Sequence, residues 1–159
     1  MKKETVIKMI DSFFAEIEWK YDFDEKRTTY SFGIDMGNVI GKLKFIMPIR
    51  DHHYKVIGIL NSKAENSKLQ TVAEYLHRAN FGMNNGKFEL DYDDGEVRYK
   101  SFVDFWGVEL NKRIIEDSLF IPIMMFKRYG KNIIKLMLGE GNPADLISEV
   151  EESNAEEIT

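Results

Sequence analysis

The spacing of apolar residues divides the chain into helical and extended segments. Apolar side chains recur three and four residues apart over about residues 4–19, and charged side chains fall mostly on the other side. This period predicts an amphipathic helix. Residues 21–27 then read as a polar connection. Three strands separated by turn residues are predicted next: residues 28–35, 39–49 and 54–60.

The second of these strands alternates most clearly between apolar and polar residues. Lys42 and Lys44 fall on one face, and the other face is apolar. We therefore expect one face of the sheet to be core and the other to be partly exposed to water. Pro48 cannot donate to a neighbouring strand, which predicts a strand end or an edge. The predicted core face carries Val39, Gly41, Leu43, Phe45, Met47 and Ile49.

A second helix is predicted from a cap at Asn66 or Ser67 to about Asn80. Gly82 and the glycine-ended cluster Asn84-Asn85-Gly86 stop it.

Strands near residues 87–92 and 96–102 then form a hairpin. Asp94-Gly95 is a strong short-loop signal, because both positions of the tightest hairpin turn require positive φ. A calcium loop starting at Asp91 does not fit, since glycine is its fifth residue and Phe102 its twelfth.

The last long helix begins near Glu109. Its apolar stripe continues through Pro122 and Gly130, which predicts one long bent helix or two helices in tandem. Residues 119–126 are apolar nearly all round, so we expect burial on more than one side. Trp19 and Trp106 are expected in the core or at its rim.

The segment after Gly139 changes character. Between Lys135 and the end of the sequence there is no Lys or Arg, but there are seven acids. Residues 143–150 are predicted to form a short helix and the rest to be disordered. We expect a single domain over residues 1–139 and an acidic, partly disordered tail over residues 140–159. Because that tail buries little apolar surface, we expect it to be dispensable for folding.

The predicted order is α-β-β-β-α-β-β-α. Strands joined by short hairpins, with helices set apart, indicate an α+β fold in which an antiparallel sheet of about five strands packs against helices on one face.

Composition narrows the class of protein further. The chain has 159 residues, 43% of them hydrophobic, and no cysteine, which excludes disulfides and thiolate chemistry. Without the seven acids of the tail, 22 basic residues face 20 acidic ones, and no basic cluster for nucleic acid stands out. From the residue pattern we expect no membrane span and no cleavable signal. We expect a soluble, cytoplasmic protein that binds neither nucleic acid nor membrane.

Three sequence patterns resemble a known family. They are Tyr75-Leu76-His77-Arg78-Ala79-Asn80, Gly86-Lys87-Phe88-Glu89-Leu90 and Asp94-Gly95-Glu96-Val97-Arg98-Tyr99. Together they look like the YbjN family, candidate sensory transduction regulators of bacteria. The resemblance implies a fold similar to type III secretion chaperones, with the element order given above. It implies no catalytic residues.

Candidate chemistry is sparse. His52 and His53 are adjacent, so on a strand they would point to opposite faces and would not easily share one metal ion. We interpret Asn80, Gly82, Gly86, Asp94 and Gly95 as structural residues of loops and turns. The Asn80 amide is expected to satisfy backbone groups in the loop of residues 82–86, with ligand binding as the alternative. We predict no catalytic residue, metal or cofactor.

The Met-rich run of residues 119–126 has two interpretations. It is either a core helix or a partner interface, since methionine adapts to irregular surfaces. The tentative partner-binding residues are Phe120, Ile121, Met124 and Met125.

Three function hypotheses follow. The first is a non-enzymatic protein-interaction module, chaperone-like or regulatory and homodimeric, that binds a protein or peptide through its sheet face and helix surfaces. The second is a small-molecule sensor or minor enzyme with a pocket between sheet and helices, for which Asn80, Arg98 and Tyr99 are the candidates. The third is a structural subunit of a larger assembly.

Overall fold

The elements below come from a computed structural model that describes residues 1–158, with side chains through residue 153. In chain order they are α1 (Lys3–Glu16), β1 (Asp22–Asp24), β2 (Thr29–Asp35), β3 (Lys42–Pro48), β4 (His53–Lys63), a 3-10 turn (Asn66–Lys68), α2 (Leu69–Phe81), β5 (Lys87–Leu90), β6 (Glu96–Asp104), α3 (Lys112–Met137) and α4 (Pro143–Ile158).

All six strands within the described residues form one antiparallel sheet in the order β1-β2-β3-β4-β6-β5. The predicted α+β class is confirmed, but the sheet has six strands instead of about five. The additional strand is β1, in the segment predicted to be a polar connection. Phe23 lies opposite Tyr30, and their ring centroids are 4.5 Å apart. One apolar residue between two aspartates carries no periodic signal, so pattern alone missed this strand.

The core lies between one face of the sheet and the helices. Leu43, Phe45 and Met47 of β3 are buried there, as the alternation predicted. Val39 is 66% exposed and precedes the strand, so its predicted place on the core face is wrong. Pro48 is the last residue of β3, as expected. From α1, Phe14 packs on Tyr30 and Phe32, with ring centroids 5.5 and 5.3 Å apart.

Helix α3 is continuous across Pro122, so the single-helix alternative holds. A proline has no N–H, and the carbonyl of Ser118, four residues earlier, loses its usual helical donor. The hydroxyl of Ser101 on β6 donates to that carbonyl at 3.4 Å. Both serines are buried. A side chain of the sheet therefore replaces the missing helical hydrogen bond.

A second hydrogen bond ties α3 to the sheet. The hydroxyls of Tyr54 on β4 and Ser118 are 2.9 Å apart and buried. Because Ser118 donates to the carbonyl of Ile115 at 2.7 Å, Tyr54 is the donor to Ser118. Burial raises the pKa of Tyr54 to about 12.

Two local predictions are corrected. Neither Asn66 nor Ser67 caps α2, which begins from the 3-10 turn without a side-chain cap. The loop between β5 and β6 covers residues 91–95, and Asp94 does not adopt positive φ, so it is not the two-residue turn predicted. Gly95 does, with φ of 76°, and any side chain there would overlap the carbonyl of Ala64. Glycine is required at that position for both reasons.

The segment after Gly139 also differs from its prediction. Helix α4 extends to Ile158, well past residue 150, and packs against α2 and α3. Leu146 and Ile147 are buried in that contact. Asn142 caps the helix by accepting a hydrogen bond from the Asp145 N–H at 3.0 Å. The expectation that residues 140–159 bury little apolar surface is therefore wrong for residues 146 and 147.

Candidate functional site

The sheet face turned away from the helices is here called the open face. Along each strand, every second residue points to it, because side chains alternate. At its centre, on β3 and β4, lie Ile46, Ile57 and Ile59, here called the isoleucine strip. Ile46 and Ile57 are directly opposite each other in register. All three are partly exposed.

Aromatic residues extend the apolar surface toward one end of β4 and β6. Phe102, on the open face, is 53% exposed and packs against the ring of His53, with centroids 5.0 Å apart. Trp106, just after β6, is 71% exposed and packs against the ring of His52, with ring centroids 4.2 Å apart. The predicted burial of Trp106 is therefore wrong. Trp19 lies as expected, partly buried at the core's rim, 5.5 Å from Phe32.

His52 and His53 thus each have an aromatic partner of their own. Within the part of the chain that the structure describes, no group of three or more His, Asp or Glu side chains is placed to hold a metal ion.

Basic side chains surround the isoleucine strip. Arg98 and Lys100 of β6 pair with the same carboxylate, Glu89, at 2.8 and 2.5 Å. Burial by itself would raise the pKa of Glu89, but hydrogen bonds from Lys100 and Arg98, together with their charges, outweigh it and lower the pKa. Lys42 and Lys44 of β3 differ, since the side chain of neither has an ion-pair or hydrogen-bond partner among the described residues.

A groove of about 560 Å³ lies on the β1–β3 side of the open face. Lys20, Lys42 and Lys44 line it together with one acid, Asp22. Its floor includes Gly33, and the side chain of Lys42 lies so close over this glycine that an added Cβ would overlap Lys42 Cε. A glycine in mid-strand permits this close approach.

Of the residues predicted to be structural, Gly82, Gly86, Asp94 and Gly95 lie in loops or turns, whereas Asn80 lies in the last turn of α2. The Asn80 amide donates to the Phe88 carbonyl at 2.9 Å and accepts from the Phe88 N–H at 2.8 Å. It therefore satisfies backbone of β5, just beyond the loop of residues 82–86. Gly86 has φ of 83°. Asp94 pairs with Lys63 and accepts from the Glu96 N–H at 3.0 Å.

The four tentative partner-binding residues do not form one surface. Phe120 packs edge-on against Phe13 and Trp19, with centroids 6.3 and 5.5 Å apart. Ile121 and Met125 are partly buried against the core, and only Met124 is largely exposed, at 58%. These positions favour the core interpretation of the run, and a partner role for the four residues stays a prediction.

The candidates for a small-molecule site are also not brought together. Arg98 and Tyr99 are adjacent on β6 and point to opposite faces. The hydroxyl of Tyr99 donates to the Asn85 carbonyl, and burial raises its pKa to about 12. The side-chain amide of Asn80 already forms hydrogen bonds with the backbone of Phe88 in β5. The sequence hypothesis therefore names three residues with separate structural roles.

Sequence reasoning missed the isoleucine strip, Gly33 and Phe102 as parts of one surface. One signal was present. Residues 56–60 of β4 are apolar on both faces of the strand. A strand with one face in water instead alternates between apolar and polar residues. The second set, Ile57 and Ile59, marks an apolar surface on the face that is not covered by any helix in the described part of the chain.

The fold and this surface define a class of protein: an α+β protein whose antiparallel sheet carries helices on one face and is open on the other. Among the described residues, no helix combines the length and apolar character needed to cross a bilayer. No protein-family model matches the chain, and no curated protein matches it.

Solved structures do resemble it. YbjN, a candidate transcription regulator from E. coli, superposes with a TM-score of 0.58 over 83% of this chain and 93% of its own, at 7% sequence identity. An uncharacterized protein from Methanothermobacter thermautotrophicus has a TM-score of 0.44 at 13% identity, over 92% of this chain and 96% of its own. The likeness to YbjN indicated by the sequence is thus confirmed at the level of the fold.

Proposed function

We propose that this protein is a non-enzymatic protein-interaction module that binds a partner segment on its open face. The observation that carries the proposal is the isoleucine strip, an apolar surface on the sheet face that no helix of the described residues covers. Apolar surface left in water favours association, because covering it releases the free energy of hydrating it. Phe102 and Trp106 add exposed aromatic surface of the kind that dominates binding energy at protein interfaces.

The charges around the strip support a specific partner over non-specific adhesion. An interface core depleted of charge and bordered by polar groups is typical of protein recognition. Here the three isoleucines are bordered by Lys44 on β3 and by Arg98 and Lys100 on β6. These charges would select partners by sign while the isoleucines are desolvated.

The sheet edges are poorer binding sites than the face. The edge strand β1 has only three residues, two of them aspartates, and short charged edges resist pairing with another chain. At the other edge, the Asn80 amide already bonds both backbone groups of Phe88 in β5. We therefore place the partner across the face instead of along an edge.

The fold likeness supports a regulatory setting for this binding. YbjN is described as a candidate transcription regulator, and its fold is shared by this chain. We propose that any regulatory role is exerted through protein contact, because the net charge is −5 and nucleic-acid binding relies on clustered basic residues.

Selection from a displayed library of short random peptides tests the proposal. Binders selected on the wild-type chain are expected to lose binding to Ile57→Asp, which places a charge in the isoleucine strip. They should keep binding to Ile114→Asp, the same substitution at an exposed isoleucine of α3 on the helical side. Circular dichroism checks that both variants are folded. Equal loss in both variants, or no loss in Ile57→Asp, would overturn the proposal.

A further inference from the structure

Resting on the function proposed above, we propose that the partner segment is acidic and extended, with the pattern acid-x-acid-x-apolar. Its two carboxylates meet Lys42 and Lys44, and its apolar side chain meets Ile46. The segment lies along β3 on the open face, over the groove whose floor includes Gly33.

The spacing of the residues along β3 carries the pattern. Lys42, Lys44 and Ile46 are alternate residues of one strand, so all three point to the open face. Alternate residues of a strand are about 6.5–7 Å apart along its axis. An extended partner segment has the same repeat, so side chains two residues apart in the segment meet successive residues of this row.

Unbalanced charge selects acids at the first two positions. Lys20, Lys42 and Lys44 line the groove and have no ion-pair partner within the described residues. Asp35 lies opposite Lys42 in register, but its carboxylate accepts a hydrogen bond from the Gly37 N–H at 2.9 Å and forms no ion pair. Asp22 is the one acid in the lining.

The other basic residues of the open face lie outside the groove. Lys55 of β4 and Lys87 of β5 have no ion-pair partner among the described residues, but neither lines the groove. Arg98 and Lys100 share Glu89 at 2.8 and 2.5 Å, so their charges are already partly neutralised. Three unpaired lysines share one groove on the β3 side of the isoleucine strip, which fixes where the acidic end of a segment lies.

The groove suits a segment better than a single small anion. Its volume of about 560 Å³ is far larger than one phosphate group needs. Its polar lining also includes the Ser31 hydroxyl and the Asn61 amide, which can bond the backbone of an approaching chain. At Gly33 the space that a side chain would take is filled by Lys42, whose Cε lies over the glycine and whose ammonium therefore stays within the groove.

Fluorescence anisotropy with two labelled peptides and one unlabelled competitor tests the inference. A labelled peptide with Glu at the two acid positions, Leu at the apolar position and Ser between them is expected to bind the full chain, more weakly as ionic strength rises. A matched peptide with Lys in place of Glu should bind about tenfold more weakly or worse. Inorganic phosphate is the competitor that represents a small-anion site.

Charge-reversal variants locate the binding. Lys42→Glu with Lys44→Glu should weaken the glutamate peptide about tenfold or more and favour the lysine peptide instead. Lys127→Glu with Lys131→Glu, the same charge change at exposed positions of α3, should leave both affinities unchanged. All four substituted lysines are exposed, so folding should be retained.

Three results would overturn the inference: equal binding of the two peptides, equal weakening by both double variants, or full displacement of the peptide by phosphate at comparable concentration. These failures are distinct from failure of the proposed function. If library binders still depend on Ile57 but carry no acidic pattern, the open face is a binding surface and only the acidic partner is wrong.

Discussion

The hydroxyl of Ser101 is the donor that allows a proline inside the central helix. We predict that Ser101→Ala destabilises the protein because it leaves the Ser118 carbonyl buried without the donor that replaces the missing N–H of Pro122. The substitution removes one oxygen from a side chain that is 1% exposed, and it introduces no larger group. Any loss of stability is therefore due to the hydrogen bond.

The geometry sets the size of the effect. A buried acceptor left unsatisfied costs about 1–3 kcal/mol. At 3.4 Å the bond from Ser101 is long, so we expect the lower end, about 1 kcal/mol. For a domain of this length that corresponds to a fall of about 2–4 °C in the melting temperature.

Urea unfolding followed by circular dichroism measures the loss, with Ser62→Ala at an exposed position of the same sheet as control. A double-mutant cycle isolates the cause. In a Pro122→Ala background residue 122 regains its N–H, and Ser101→Ala should then cost less than about 0.5 kcal/mol. If Ser101→Ala costs the same in both backgrounds, the hydroxyl does not compensate for the proline and the reasoning is refuted.

Four further predictions concern other parts of the molecule. Tyr54→Phe removes the donor to Ser118 and should cost about 1 kcal/mol at neutral pH. Because the folded pKa of Tyr54 is raised to about 12, the stability it adds is present below the unfolded value near 10 and is lost as pH rises from about 10 to 12. Between about pH 10 and 12 the melting temperature should therefore fall less steeply with pH in Tyr54→Phe than in the wild type. An equal slope in the two proteins would contradict this.

Leu146→Ala should cost about 2 kcal/mol, the low end for leucine truncation, and deletion of residues 140–159 should lower the melting temperature further. A deletion that melts like the full chain would restore the view of this segment as a tail. Glu89→Gln should cost about 0.5–1 kcal/mol at pH 7, and the difference should disappear as pH falls through the lowered pKa of Glu89, since that stability requires the carboxylate. A difference that persists at pH 2 would argue against it. Light scattering at micromolar concentration should give twice 18.6 kDa if the predicted homodimer forms, and a strictly monomeric mass would exclude it at that concentration.

The edges of this sheet are protected from pairing with another chain, whereas its open face is not protected from contact with a partner. The edges are short, charged or bonded by a side chain, whereas the open face keeps apolar residues in contact with water. Protection of the edges removes the alternative of strand addition. It leaves the face as the surface on which a partner gains most by covering apolar area.

Local pattern by itself determined much of this fold. The helical period of α1 and α3, the alternation of β3 and the glycine-rich stop after α2 specified element types, because each depends on residues close together in the chain. The sequence also showed that β4 is apolar on both of its faces, and that the C-terminal segment carries acidic residues but no basic ones. In these cases the physical cause is local.

Tertiary structure decided what lies between distant segments. Strand β1 is stabilised by the packing of Phe23 against Tyr30. Helix α4 is stabilised by the burial of Leu146 and Ile147 where it packs against α2 and α3. Nothing in residues 112–137 alone shows that a serine on β6 supplies the donor that Pro122 lacks. The open face likewise required the sheet order, since Ile46 and Ile57 are neighbours only across strands. Contacts between residues far apart in sequence depend on the packed fold, and the candidate site is made of such contacts.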